Sequence, residues 1–174
     1  MSRSIKCSVP VEERLALQDL LTDYCTAIDS RSDMEGLLAC FTEDGVWDGS
    51  ALDLPRAAGH AAIRDFFEHV FKNLSHHAHY WTNFRVTRFE GDSATTRSYA
   101  MGLAHSHDGR SILAHVSYRL DCVRKADGWK FTSFIATPLM PPPDTPRGSA
   151  QTWTGVTTPT VYIASSAHSI ISSA

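Results

Sequence analysis

Cysteine is scarce: Cys7, Cys25, Cys40 and Cys122 are the only four in 174 residues, and none forms a C-x-x-C pair. Such scattered residues argue against a disulfide framework and against zinc held by thiolates; they read as reduced, small core or surface residues. An excess of positive charge is also missing. Sixteen Lys and Arg face nineteen Asp and Glu, for a net charge of −3, so the chain has no basic footprint for nucleic acid. No apolar run approaches the ~18 residues of a membrane span, and "MSRSIKCSVPVEERLAL" lacks the continuous apolar stretch of a secretory signal. The expected location is therefore cytoplasmic, off the membrane. Gly-rich phosphate loops and a G-x-S-x-G elbow are absent, and "GDS" and "DGR" read as hairpin turns. Covalent catalysis thus has no signature, and there are no internal repeats.

What is present is an ordinary globular composition, 43% hydrophobic and 20% charged, in a chain long enough for one domain with a real core. "VEERLALQDLLTDYCTAIDS" (11–30) places Leu17, Leu20, Leu21, Tyr24, Cys25 and Ile28 at helical spacing, with Glu12 and Glu13 suited to the first turn. A short second helix is expected from Asp33, as N-cap, to Cys40. "FTEDGVWDG" predicts a turn and then a short strand through Val46 and Trp47. "GHAAIRDFFEHVFKNL" is a third amphipathic helix with Ile63, Phe66, Phe67, Val70 and Leu74 as its apolar stripe. Strands are expected at about 77–89, 93–105, 111–124 and 129–136, joined by turns that carry Gly next to Asp. Three helices followed by an antiparallel meander predict an α+β domain over 1–137, its helices on one face of a curved sheet. From 138 to 174 the texture changes. This segment holds six of the eight prolines, and 148–174 contains no Asp, Glu, Lys or Arg, as befits a stiff linker and a charge-free tail.

Two kinds of residue could do chemistry. Asp29 ends the first helix beside Cys25, Tyr24 and Ile28, and a carboxylate suits neither apolar neighbours nor the negative end of a helix dipole. That misfit favours a partnered aspartate over one that merely faces water. His76, His77 and His79 crowd one short stretch, with His77 and His79 on one strand face, while His105 and His107 repeat the H-x-H spacing in a polar turn. H-x-H pairs can ligate zinc or iron. In "AHSHDGRS", however, solvated histidines are the ordinary case, and acid–base chemistry needs only one histidine beside one carboxylate. Spacing alone does not pair Asp29 with a histidine fifty residues away.

The succession "ALQDLLTDYCTAIDSRSDMEGLLACFTEDGVW", "GHAAIRDFF", "HYWTNFRV" and "DGWKFTSF" resembles the SnoaL-like superfamily, over about residues 11–137. The resemblance implies the cone-shaped α+β fold of nuclear transport factor 2, a curved antiparallel sheet with three N-terminal helices closing a central cavity. Within the superfamily the chain is most similar to the eliminating branch, comprising scytalone dehydratase, bile-acid dehydratase and hexachlorocyclohexane dehydrochlorinase. By that resemblance Asp29 in "AIDSR" and His79 in "HYWTN" stand at the positions of a catalytic dyad, and Tyr24 at that of a catalytic tyrosine. Trp47, Tyr118 and Phe134 fall at pocket positions, and Val70 and Leu74 on the third helix are expected to bind substrate with them. Tyr24 and Phe134 fill positions where the dehydrochlorinase has cationic groups, so loss of water is expected rather than loss of chloride.

The resulting expectation is a lyase of the dehydratase type, or an isomerase, acting without cofactor or metal on a small, largely apolar cyclic metabolite. A polyketide-type cyclase would use the same pocket. A ligand-binding or assembly module, like the small subunit of ring-hydroxylating dioxygenases, is the reading from another class. Aromatics such as Trp81 or Tyr99 on the outer sheet face would imply a homo-oligomer, a dimer or trimer. His76 and His77 are expected to be bystanders.

Overall fold

A computed structural model describes residues 7–140. The expected tail, apart from its first three residues, lies outside this range. Helix α1 (Val11–Ser30) begins after Pro10 with Glu12 and Glu13 in its first turn, where carboxylates complement the exposed N–H groups. It stops at Arg31, whose left-handed backbone returns an N–H to the Ile28 carbonyl. Asp33 caps α2 (Met34–Ala39) by accepting a hydrogen bond from the Gly36 N–H, as its position before the helix predicts.

Next come β1 (Phe41–Asp48), a single 3-10 turn (Ser50–Leu52), a three-residue strand β2 (Arg56–Ala58) and α3 (Gly59–Asn73). Four long strands complete the domain: β3 (Leu74–Glu90), β4 (Ser93–Ser106), β5 (Ser111–Lys125) and β6 (Gly128–Pro138). All six strands form one sheet in the order β2-β1-β6-β5-β4-β3, with the helices packed on one side. This is the expected α+β architecture of helices against a curved sheet.

The structure departs from the expected elements in four places. β1 pairs with β6 in parallel, so the sheet is mixed rather than wholly antiparallel. "TEDG" lies inside β1 and not in a turn before it; the ladder shifts register there, between Phe41 and Val46. β2 pairs with β1 over only Arg56–Ala58, too short for any alternating pattern to announce it. Finally, α3 ends at Asn73, and β3 starts at once with Leu74, so all three clustered histidines are strand residues.

Leu17, Leu21 and Ile28 of α1 and Ile63 of α3 are almost wholly buried against Leu120, Phe131 and Phe134 of the sheet. The aromatic rings of this core touch in sequence-distant pairs: Tyr24 with Phe134 at 4.3 Å, and Trp47 stacked on Phe66 at 4.6 Å. Burial of these side chains fixes α1 against β3 and β6. The Arg31 guanidinium adds a specific tie by donating to the Leu74 carbonyl at 2.8 Å. The end of α1 is therefore locked to the start of β3 by a bond between residues 43 apart in sequence, at the point where the candidate site lies.

Candidate active site

On β3, β4 and β5 the pairs His77–Ala104, His79–Gly102, Ala104–Ile112 and Gly102–Ala114 place these residues on the inner face of the sheet. With α1 and α3 they enclose a cavity of about 150 Å³ lined by Tyr24, Trp47, Val70, Leu74, Tyr118 and Phe134 among others. A dry cavity of ~150 Å³ is enough to hold benzene, so one ring fits. Among the described residues, no Asp, Glu, Lys or Arg lines it. Among the described residues, the polar side-chain groups on its wall are those of Tyr24, Trp47, Tyr118, His77 and His79. Every candidate site residue read from the sequence lines this space except Asp29, which stands behind His79.

Asp29 and His79 meet through two hydrogen bonds. One carboxylate oxygen accepts from the His79 backbone N–H at 2.8 Å, and the other lies 2.7 Å from Nδ1 of the ring. An ionised carboxylate only accepts, so the ring proton sits on Nδ1. The other nitrogen, Nε2, points across the ladder toward Gly102, which has no side chain to cover it. The His79 side chain is 10% exposed and that of Asp29 27% exposed. Burial pushes the Asp29 carboxyl up, but the hydrogen bonds and charge of His79 outweigh it and hold the group below the usual carboxylate range. The awkward position of this carboxylate at a helix C-terminus is thereby offset by its partner.

Tyr24 is oriented by Trp47, whose indole N–H donates to the phenol oxygen at 2.8 Å in a fully buried contact. With that lone pair occupied, the Tyr24 O–H is left to donate elsewhere. Burial raises the Tyr24 and Tyr118 phenols well above their ordinary value, so both remain protonated donors. Cys25 lies behind the site with its thiol pushed up to about 12 by burial, and it is no nucleophile.

Sequence reasoning set His77 aside, yet its ring lies 4.6 Å from that of His79 and lines the same cavity. The shared parity of positions 77 and 79 was the available signal. Burial, with the neighbouring His79 against it, pushes His77 down to about 3 despite the attraction of Asp29. Unfolded histidine titrates near 6.5, so below that pH the unfolded chain binds a proton that folded His77 refuses. Stability contributed by neutral His77 is complete above ~6.5 and is lost as pH falls toward 3. The urea midpoint is expected to drop between pH 7.5 and 5 by the equivalent of about 1–2 kcal/mol, and His77→Gln should remove most of that drop. An unchanged pH dependence in His77→Gln would contradict this environment.

Residues 9–135 match the SnoaL-like domain, and the chain belongs to that family. An uncharacterized protein of Mycobacterium tuberculosis is 31% identical over 139 residues, covering 79% of this chain and 92% of its own. A crystal structure from Novosphingobium aromaticivorans, described as a candidate aromatic ring hydroxylase, is 46% identical with a TM-score of 0.76; 77% of this chain and 94% of that one are covered. A hexachlorocyclohexane dehydrochlorinase of type 2 superimposes with a TM-score of 0.64 at 23% identity, covering 80% of this chain and 97% of that one, and shares the fold. The fold is thus that of the nuclear transport factor 2-like proteins, among whose structural neighbours are dehydrochlorinases and proteins described as dehydratases and as isomerase-like.

Proposed function

We propose that this protein is a lyase of the dehydratase type that removes water from a small, largely apolar cyclic metabolite by acid–base catalysis, with no cofactor taking part. The observation that carries this reading is the doubly hydrogen-bonded Asp29–His79 pair with Nε2 facing an apolar cavity. A binding or assembly module has no need to spend a half-buried carboxylate on orienting an imidazole.

In this reading the substrate is a ring carrying a carbonyl and a hydroxyl on the carbon β to it. Nε2 of His79 takes the proton from the carbon between them, and Asp29 stabilises the imidazolium that forms. Tyr24, held by Trp47, donates its O–H to the carbonyl oxygen as negative charge grows there. The C–O bond to the hydroxyl then breaks. The departing hydroxide takes the proton back from His79 and leaves as water, and a carbon–carbon double bond remains. Returning the same proton to another carbon instead would make the reaction an isomerisation.

None of the described wall residues is cationic, which favours water over halide as leaving group, because a departing chloride needs a fixed positive partner. Trp47, Tyr118, Phe134, Val70 and Leu74 form the apolar walls that would grip the ring. The outer face of the sheet exposes Tyr80, Tyr99 and Leu103, while Trp81 turns inward onto Phe84; we take the exposed group as the contact surface of a homo-oligomer.

A panel of single-ring β-hydroxyketones tests the reaction type. Purified protein should convert at least one to the enone, read by its absorbance, and should exchange the α-proton for deuterium in D2O. Exchange and elimination both absent across the panel would count against a dehydratase.

A further inference from the structure

His77 has no part in the chemistry above, yet it completes a set of ligands. One ligand atom each from Asp29, His77 and His79 lies within 4.8 Å of the other two. The set comes from two elements locked together, the end of α1 and the start of β3. Two imidazoles and one carboxylate suit zinc and the later first-row divalent ions, and do not suit calcium or magnesium. The second observation concerns the His77 ring itself. Its Nδ1 is enclosed and has no hydrogen-bond partner. An enclosed imidazole nitrogen left bare beside a second imidazole and a carboxylate is placed as a metal ligand would be. An atom closed to water can still be reached by a metal, which binds nitrogen at about 2.0 Å, well inside water's contact distance.

We propose that Asp29, His77 and His79 bind one divalent transition-metal ion, zinc above all, and that this ion switches the dyad off. The Asp29 oxygen and His79 Nδ1 are now 2.7 Å apart, a hydrogen-bond distance. Two ligands of a tetrahedral zinc stand about 3.3 Å apart, so the pair opens slightly while the His77 nitrogen closes in. Metal on Nδ1 displaces the proton shared with Asp29. A neutral imidazole keeps one proton, which must then sit on Nε2. The nitrogen that faces the cavity loses its lone pair and can no longer take a proton from substrate. The remaining coordination positions are filled by water. The inhibitory half of this proposal rests on the acid–base reading; the binding half does not.

The test titrates the full chain, freed of metal by chelation, with Zn2+ in a calorimeter and with Co2+ as the absorbing probe. One ion per chain is expected, with a four-coordinate Co2+ spectrum. Affinity should fall at least ~100-fold in His77→Gln and in Asp29→Asn. A His76→Gln, His105→Gln double variant, which removes the neighbouring pair of rings 6.1 Å apart, should bind as the parent does. Independently of any variant, Zn2+ should shift the imidazole 15N resonances of His77 and His79 and leave those of His76 and His105 in place. Absence of stoichiometric binding, full affinity in His77→Gln, or 15N shifts confined to His76 and His105 would each overturn the site. With a turned-over substrate in hand, Zn2+ should abolish turnover at one equivalent. Binding without inhibition would overturn the switch alone, and dehydration without any zinc binding would overturn this proposal while leaving the dehydratase reading intact.

Discussion

His79→Ala is expected to lower turnover by at least ~10²-fold with the fold intact, the largest single effect we anticipate. Among the described wall residues the tyrosines remain protonated, and of the two imidazoles only that of His79 is held by a carboxylate. Truncation removes the base and leaves the carboxylate of Asp29 facing an emptied space, so some stability is lost as well. For that reason the check compares turnover with a urea titration of the same preparation. A cooperative unfolding transition together with the predicted loss of rate separates missing chemistry from a missing fold. Normal turnover in a folded His79→Ala protein would remove the dyad from the mechanism.

Asp29→Asn should be nearly as damaging, again at least ~10²-fold, and for a reason that the geometry makes specific. Both carboxylate oxygens accept from His79, one from its backbone N–H and the other from the ring. An amide has a single acceptor oxygen. If that oxygen keeps the backbone N–H, the amide N–H2 faces Nδ1 and forces the ring proton onto Nε2, the wrong tautomer for a base. If the oxygen turns to the ring instead, two donors collide at the backbone. Neither orientation preserves a correctly held base. Comparing Asp29→Asn with Asp29→Ala by kcat alone would expose this: the amide should be no better than the deletion, although it is far closer in shape to aspartate.

The three helices and four long strands were legible because each carries a periodic apolar pattern, and because Gly91, Gly109 and Gly128 supply the left-handed turn residues that hairpins need. β2 was not legible, since three residues carry no period. The parallel pairing of β1 with β6 is likewise a property of the whole sheet and not of either strand. Within the site, the misfit of an aspartate at a helix end was a usable signal for Asp29, but its partner is fifty residues distant and came only from family resemblance. The structure supplies the joint itself: Arg31 bonded to Leu74 sets α1 onto β3. His77 was set aside because a lone histidine is more often structural than functional, although its parity with His79 already put both on one strand face; the structure brings the two rings to 4.6 Å. Trp47 was expected as a wall; its indole N–H turns out also to orient Tyr24.

The central claim is that Asp29 holds His79 as a neutral base whose free nitrogen faces the cavity. The 15N resonances of the His79 imidazole, recorded near neutral pH on metal-free protein, test it most directly. The account predicts a proton on Nδ1 and a bare Nε2. A proton resting on Nε2, with Nδ1 bare, would contradict it.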